Sequence, residues 1–151
     1  MITDKERGIV AAASYEAKVL GVQRGTRLFE VKKIYADAVI LPSDYETYSL
    51  FSGRMFEIIR RFSPDVEEYF IDEAFVDLTW LRRSFHGSYG RIAESMQETI
   101  QRKLGVTVSI GVSLSKVLAK IGSKNKKPRG LTIIPGREIR LCLGKLPVEK
   151  V

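Results

Sequence analysis

A chain of 151 residues, 44% of them hydrophobic, is about one ordinary domain and can bury a core, which excludes disorder as the default. Its 25 Lys and Arg against 18 Asp and Glu leave a net charge of +7, which points to a polyanionic partner, nucleic acid first and an anionic membrane surface second. One cysteine, Cys142, and one histidine, His86, exclude a disulfide framework and a structural zinc set, and with no bilayer-length apolar run and no signal-peptide form at Met1–Arg7 the chain reads as cytosolic.

In chain order, the apolar run Gly8–Ala13 predicts a buried strand. Ser14 is placed to cap a helix over Tyr15–Leu20 that Gly21 closes. A second helix is expected over Arg27–Tyr35, with Leu28, Val31 and Ile34 on one side, then a strand over Ala38–Leu41 that Pro42 ends. Residues 1–43 therefore read as a small strand-helix-helix-strand unit.

Ser43-Asp44-Tyr45-Glu46 has the capping-box form, and Tyr48, Phe51, Met55, Ile58, Ile59 and Phe62 recur behind it at helical spacing. After Ser63-Pro64-Asp65 come two β-prone runs, Glu68–Ile71 and Ala74–Leu78, separated by Asp72-Glu73, the pattern of a tight hairpin. Ala74, Val76 and Leu78 then share one face and Phe75 and Asp77 the other. Arg82–Ser88 is turn-rich; Tyr89, Ile92, Met96, Ile100 and Leu104 mark a second amphipathic helix, with Gly105 as its stop and a β-prone stretch, Val106–Val112, behind it.

From residue 44 the order is helix, strand, strand, helix, strand, which is the ferredoxin-like β-α-β-β-α-β pattern without its first strand. On this reading the chain is expected to be truncated at its N-terminus. Ser113 is expected to cap a further helix with Leu114, Val117, Leu118 and Ile121 inward and Lys116, Lys120 and Lys124 on a neighbouring face. A turn at Pro128-Arg129-Gly130 and a last strand, Leu131–Ile134, follow.

Two features carry chemistry. Asp72 and Glu73 repel each other unless a cation sits between them, and Mg²⁺ favours one or two carboxylates plus substrate phosphates, so the pair suggests phosphoryl transfer; a solvated turn is the plain alternative. Between Thr99 and Arg137 there is no acid and there are nine cations, either a solvated face or a phosphate-contacting one. No Gly-rich phosphate loop, dinucleotide fingerprint or Ser/His/Asp set is present, which leaves carboxylates, cations and metal.

Tyr69-Phe70-Ile71-Asp72-Glu73-Ala74 resembles the S-I-D-E-A palm motif of the Y-family translesion DNA polymerases, the UmuC-domain group. Ala13–Lys18 with Gly21-Val22 resembles that family's fingers motif, and Gly111-Val112 through Lys116, Leu118-Ala119-Lys120 and Lys127–Gly130 its phosphate-binding palm segment. The resemblance implies an α+β fold: a ferredoxin-like palm lacking its first strand over residues 44–134, a small α/β fingers subdomain over 1–43, and the start of a thumb over 135–151. It implies Mg²⁺ ligation by the catalytic acids Asp72 and Glu73, nucleotide contacts from Tyr15, Lys18 and Lys127, and DNA contacts from Lys116, Lys120 and Lys124. The partners implied are primer-template DNA, deoxynucleoside triphosphates and, through regions outside this chain, a sliding clamp, in translesion synthesis and DNA repair.

The family pattern also departs at named places. Its first palm strand, with a further metal-binding aspartate, is expected upstream of Met1, and its little finger beyond Val151; Ala12 and Ser115 stand where a hydroxyl residue and an asparagine are usual. The chain alone is therefore expected to be inactive. A nucleotide cyclase is the enzymatic rival, although Phe70-Ile71 occupy the places of its required glycines; a module that only binds nucleic acid or a polymerase is the non-enzymatic one.

Overall fold

The computed structural model describes residues 2–4, 8–81 and 88–144. The chain divides into two compact units, Met1–Thr47 and Tyr48–Val151, each described by itself.

The first unit is built on a three-stranded sheet. Strand β1 (Ile2–Asp4) lies in the middle, antiparallel to β2 (Ile9–Ala12) and parallel to β3 (Leu41–Pro42). Helices α1 (Tyr15–Val19) and α2 (Leu28–Ile34) lie between β2 and β3 in sequence. Val10, Val22 and Val31 form the buried centre, and Ala13, Ala17, Leu28 and Ala38 pack against it.

The strand and both helices expected here form. The helix start follows from side-chain chemistry: the Ser14 hydroxyl accepts the Ala17 amide at 3.3 Å, and Gly21 ends the helix at φ +87°, where a Cβ would be strained. Two expectations shift. Ile34 is 61% exposed rather than inward, and the last strand begins at Leu41 because Ala38 turns back to the Tyr35 carbonyl at 3.2 Å. The sequence reading does not include strand β1; three residues, Ile2-Thr3-Asp4, carry no readable period. Replacing Ser14 by Ala is expected to lower stability by about 1 kcal/mol, and by Asn to preserve it, read from the denaturant midpoint.

Helix α3 (Tyr45–Arg60) begins in the last residues of the first unit and continues into the second, where its Met55, Phe56, Ile58 and Ile59 are buried. Asp44 caps it: the Thr47 hydroxyl at 2.7 Å and the Thr47 amide at 3.0 Å donate to its carboxylate and hold the Asp44 pKa below the ordinary carboxylate value. Strands β4 (Val66–Phe70) and β5 (Glu73–Val76) form an antiparallel hairpin, followed by α4 (Tyr89–Leu104). Helix α4 ends at Gly105, φ +70°, as expected. Strand β6 (Ile110–Val112) runs parallel to β7 (Leu131–Ile133), with α5 (Lys116–Asn125) crossing between them. A 3₁₀ turn at Gly136–Glu138 and the short helix α6 (Ile139–Leu143) complete it.

One core serves both pairs of strands. Met55, Phe56, Ile58, Ile59, Met96 and Ile100 are its buried centre, with Val66, Ala74 and Val76 of the hairpin and Ile110 of β6 against it. The pairs nevertheless form two separate two-stranded sheets. Buried Gln97 ties α4 to the second: its side-chain amide donates to the Val108 carbonyl at 2.8 Å and the Gly130 carbonyl at 3.4 Å.

The helix expected from Ser113 starts two residues later. Ser115 caps it, accepting the Leu118 amide at 3.4 Å, while the Ser113 hydroxyl donates to the Ile134 carbonyl at 2.9 Å. The shift exposes Leu114 and Val117, leaving Leu118 and Gly122 on the buried side. Most of Arg82–Ser88, His86 included, lies outside the described residues, as does the chain after Gly144. Among the described residues no helix is long and apolar enough to cross a membrane.

Candidate active site

The acidic hairpin is anchored at its base. The fully buried Ser63 hydroxyl accepts the Asp65 amide at 3.2 Å and donates to the Asp77 carbonyl at 2.7 Å, and the Asp77 amide donates to the Asp65 carbonyl at 3.0 Å. Arg60, ending α3, pairs with Glu68 on β4. At the tip Phe70 pairs with Glu73, so Ile71-Asp72 is the turn and Glu73 begins β5, one residue earlier than expected. Asp72 is exposed and Glu73 half-buried.

A register shift between Glu68 and Phe70 inserts Tyr69 as an extra residue in β4. Such a bulge re-aims side chains. Here the Tyr69 ring meets Phe70 edge-on at 4.4 Å between centroids and Phe75 at 5.5 Å. Ala74 and Val76 face the core, as the alternation predicts.

Helix α5 brings cations to this hairpin. It packs on β6 at backbone distance because Gly111 and Gly122 face each other: a Cβ on Gly122 would lie 3.3 Å from the Gly111 Cα. Lys120 Nζ lies 2.9 Å from Glu73 Oε2, 4.5 Å from the Tyr69 ring centroid and 5.7 Å from that of Phe70. One turn earlier Lys116 pairs with Glu67 and sits 5.8 Å from the Phe75 centroid. Lys124, another turn on, is exposed. Of the three lysines assigned to DNA, two thus hold the hairpin's acids.

The Glu73 hydrogen bond, opposed by burial and aided by the nearby charges of Glu73, Tyr69 and Asp72, raises the Lys120 pKa above the ordinary lysine value. A raised folded-state pKa gives stability that is complete below the unfolded value, about 10.4, and is lost as pH rises through the folded one. An alkaline unfolding series should show that loss, and Lys120→Met should flatten it. Asp77 is shifted the other way: the Thr79 hydroxyl and the Thr79 amide, at 2.8 Å, hold its pKa below the usual carboxylate range.

The remaining candidates are placed as follows. Tyr15 and Lys18 share the first turns of α1 in the first unit, with Lys18 Nζ 5.0 Å from the Tyr15 ring centroid and both residues exposed. Lys127 is exposed in the second unit, on the loop from α5 to β7, where Gly130 is required because a Cβ would lie 2.2 Å from the Lys126 carbonyl oxygen. Ser115 is committed to capping α5.

Among the described residues no group of three or more His, Cys, Asp and Glu is arranged to hold a metal ion. Asp72 and Glu73 offer oxygen donors alone, side by side at an open turn, which suits Mg²⁺ sharing its shell with phosphates and does not suit zinc. The pair fits the protein's share of such a site.

Sequence reasoning missed the aromatic cluster of Tyr69, Phe70 and Phe75 and the Lys116 and Lys120 partners. A signal for the partners existed: residues 65–77 hold six acids and no cation, the complement of the acid-free stretch downstream.

Over residues 1–124 the chain matches the impB/mucB/samB family. It belongs to this family of Y-family DNA polymerases. The chain is 37% identical over 145 residues to DNA polymerase IV of Desulfatibacillum aliphaticivorans, covering 96% of itself and 36% of that protein. With DNA polymerase IV of Clostridium kluyveri it shares 39% over 142 residues, or 94% of itself and 35% of the relative. Among solved structures it resembles a Dbh ternary complex with a TM-score of 0.88 and 29% identity, over 99% of this chain and 44% of the other. DinB from Sulfolobus solfataricus matches at 0.87 over the same shares and at the same identity. The α+β architecture is therefore that of Y-family polymerases, and this Y-family chain spans little more than a third of the curated relatives cited.

Proposed function

We propose that the chain is the fingers and palm portion of a DNA-directed DNA polymerase that carries out Mg²⁺-dependent nucleotidyl transfer in translesion synthesis. On this reading residues 1–43 are fingers, 44–134 palm and 135–151 the beginning of a thumb. The observation that supports it best is the Asp72-Glu73 pair, presented at the open tip of a hairpin whose base is fixed, in a chain that belongs to this family. A related ternary complex and an insertion ternary complex of Dbh give the substrate reading its analogy.

Asp72 and Glu73 would hold Mg²⁺, which when bound stabilises charge on the attacking and leaving oxygens. The residues of the chain do the positioning. In the first unit Tyr15 and Lys18 would offer a hydroxyl and an ammonium to the triphosphate, and in the second Lys127 would offer a cation for charge that develops on the departing pyrophosphate. Lys124 is open to the DNA backbone, whereas Lys116 and Lys120 reach phosphate only by leaving Glu67 and Glu73.

The test is primer extension by a chimera in which this chain replaces the matching 145 residues of Desulfatibacillum aliphaticivorans DNA polymerase IV. Incorporation of the templated nucleotide with Mg²⁺ is expected. A chimera that binds primer-template DNA with normal salt dependence yet incorporates nothing would transfer the chain to the class of non-catalytic binding modules.

A further inference from the structure

We infer that Lys120 is the resident counter-ion of the Asp72-Glu73 pair, and that a divalent cation binds there by displacing its ammonium from Glu73. The inference rests on the reading of these acids as metal ligands and adds a residue that sets how tightly the metal is held.

Adjacent carboxylates need a positive charge near them whether or not metal is present. Lys120 supplies one: its Nζ is 2.9 Å from Glu73 Oε2, an oxygen the metal would claim. The pair is partly open to solvent, with side chains 31% and 40% exposed, so it can exchange partners without unfolding anything. A second seat is already built. The Tyr69 and Phe70 rings lie 4.5 Å and 5.7 Å from the ammonium, and an aromatic surface keeps a cation at hand after its carboxylate is taken.

The lysine's backbone is fixed while its head is partly open to solvent. Helix α5 is seated on β6 through Gly111 and Gly122, and Lys116 pins the preceding turn to Glu67. Exchange is thereby confined to the flexible four-carbon stem of Lys120, a point charge that needs no particular orientation. Lys120 is a positioning residue: it orients Glu73 in the metal-free chain and opposes metal entry by its charge.

The experiment measures Mn²⁺ binding to the chain by the electron paramagnetic resonance signal of free Mn²⁺, for the unaltered chain, Lys120→Met, Lys120→Gln, Lys120→Arg and Asp72→Asn. Loss of the competing charge is expected to tighten binding about three- to tenfold in Lys120→Met and Lys120→Gln, and Lys120→Arg to stay near the unaltered value. Added Mn²⁺ should also raise the melting temperature of the two neutral variants more than that of the unaltered chain. Unchanged or weaker Mn²⁺ binding by Lys120→Gln, which retains a hydrogen-bond donor for Glu73, overturns the inference. If Asp72→Asn binds Mn²⁺ as well as the unaltered chain, it is the metal-site reading that fails, whatever Lys120 does.

Discussion

Asp72→Asn in the chimeric polymerase is expected to lower single-turnover nucleotide incorporation by about 10³-fold or more, equivalent to about 4 kcal/mol of transition-state stabilisation. The substitution keeps size and one carbonyl oxygen but removes the charge that would draw the metal. Because Asp72 is exposed in a two-residue turn and its neighbour Glu73 is a like charge, the fold should not suffer. The melting temperature should hold or rise slightly. DNA affinity and its salt dependence should also be unchanged, since the cations proposed to contact phosphate are untouched. Glu73→Gln is expected to behave differently in one respect: it also releases Lys120, so a loss of stability accompanies any loss of rate. An Asp72→Asn chimera within tenfold of the unaltered one would remove Asp72 from the metal site.

The second large effect concerns a residue with no side chain. Gly111→Ala is expected to destabilise the chain by about 3 kcal/mol, a fall of about 6–12 °C in melting temperature for a chain of this size. A Cβ there would lie 1.9 Å from the Ala119 carbonyl oxygen and 2.5 Å from the Ser123 nitrogen, both backbone atoms of α5. Neither can step aside alone. The helix must lift off β6, and Lys116 and Lys120 go with it, so the alkaline loss of stability assigned to Lys120 should flatten in parallel. Gly53→Ala in α3 is the control of opposite sign. A Cβ there meets nothing within 4 Å, and relief of glycine's excess entropy should stabilise by about 0.5–1 kcal/mol. Thermal melts of both variants check the pair.

What could be read from the sequence divides by physical scale. The long helices α3 and α4 announced themselves because a sixteen-residue element repeats its apolar stripe several times, and Gly105 and Ser14 act on their own neighbours. Short elements did not. Strand β1 has three residues, and whether Ser113 or Ser115 caps α5 depends on which hydroxyl the Ile134 carbonyl draws away, a contact twenty-one residues distant. Gln97 was legible in principle, since it shares a helical face with Ala93 and Ile100, but its amide's two carbonyl partners come from elsewhere in the chain.

The site shows the same divide. Adjacent acids at a hairpin followed from local β propensity and one polar pair. The lysine partners of Glu73 and of Glu67 lie nearly fifty residues away, and no periodicity reports a contact of that separation. From sequence the acid-free stretch offers either a solvated or a phosphate-contacting face, and neither reading anticipates that two of its lysines pair with acids of the hairpin. Counting both stretches together, rather than the cationic one alone, would have suggested the match.

The two separate sheets have a mechanical consequence. Among the described residues, the ladder that holds the acids and the ladder that carries α5 are distinct hydrogen-bonded assemblies resting on one apolar bed. Across that seam Lys116 and Lys120 act as fasteners made of charge, strong in dilute buffer and slackened by ions. Salt therefore weakens the contacts that these two lysines make with the hairpin and leaves the hydrogen bonds within each ladder alone.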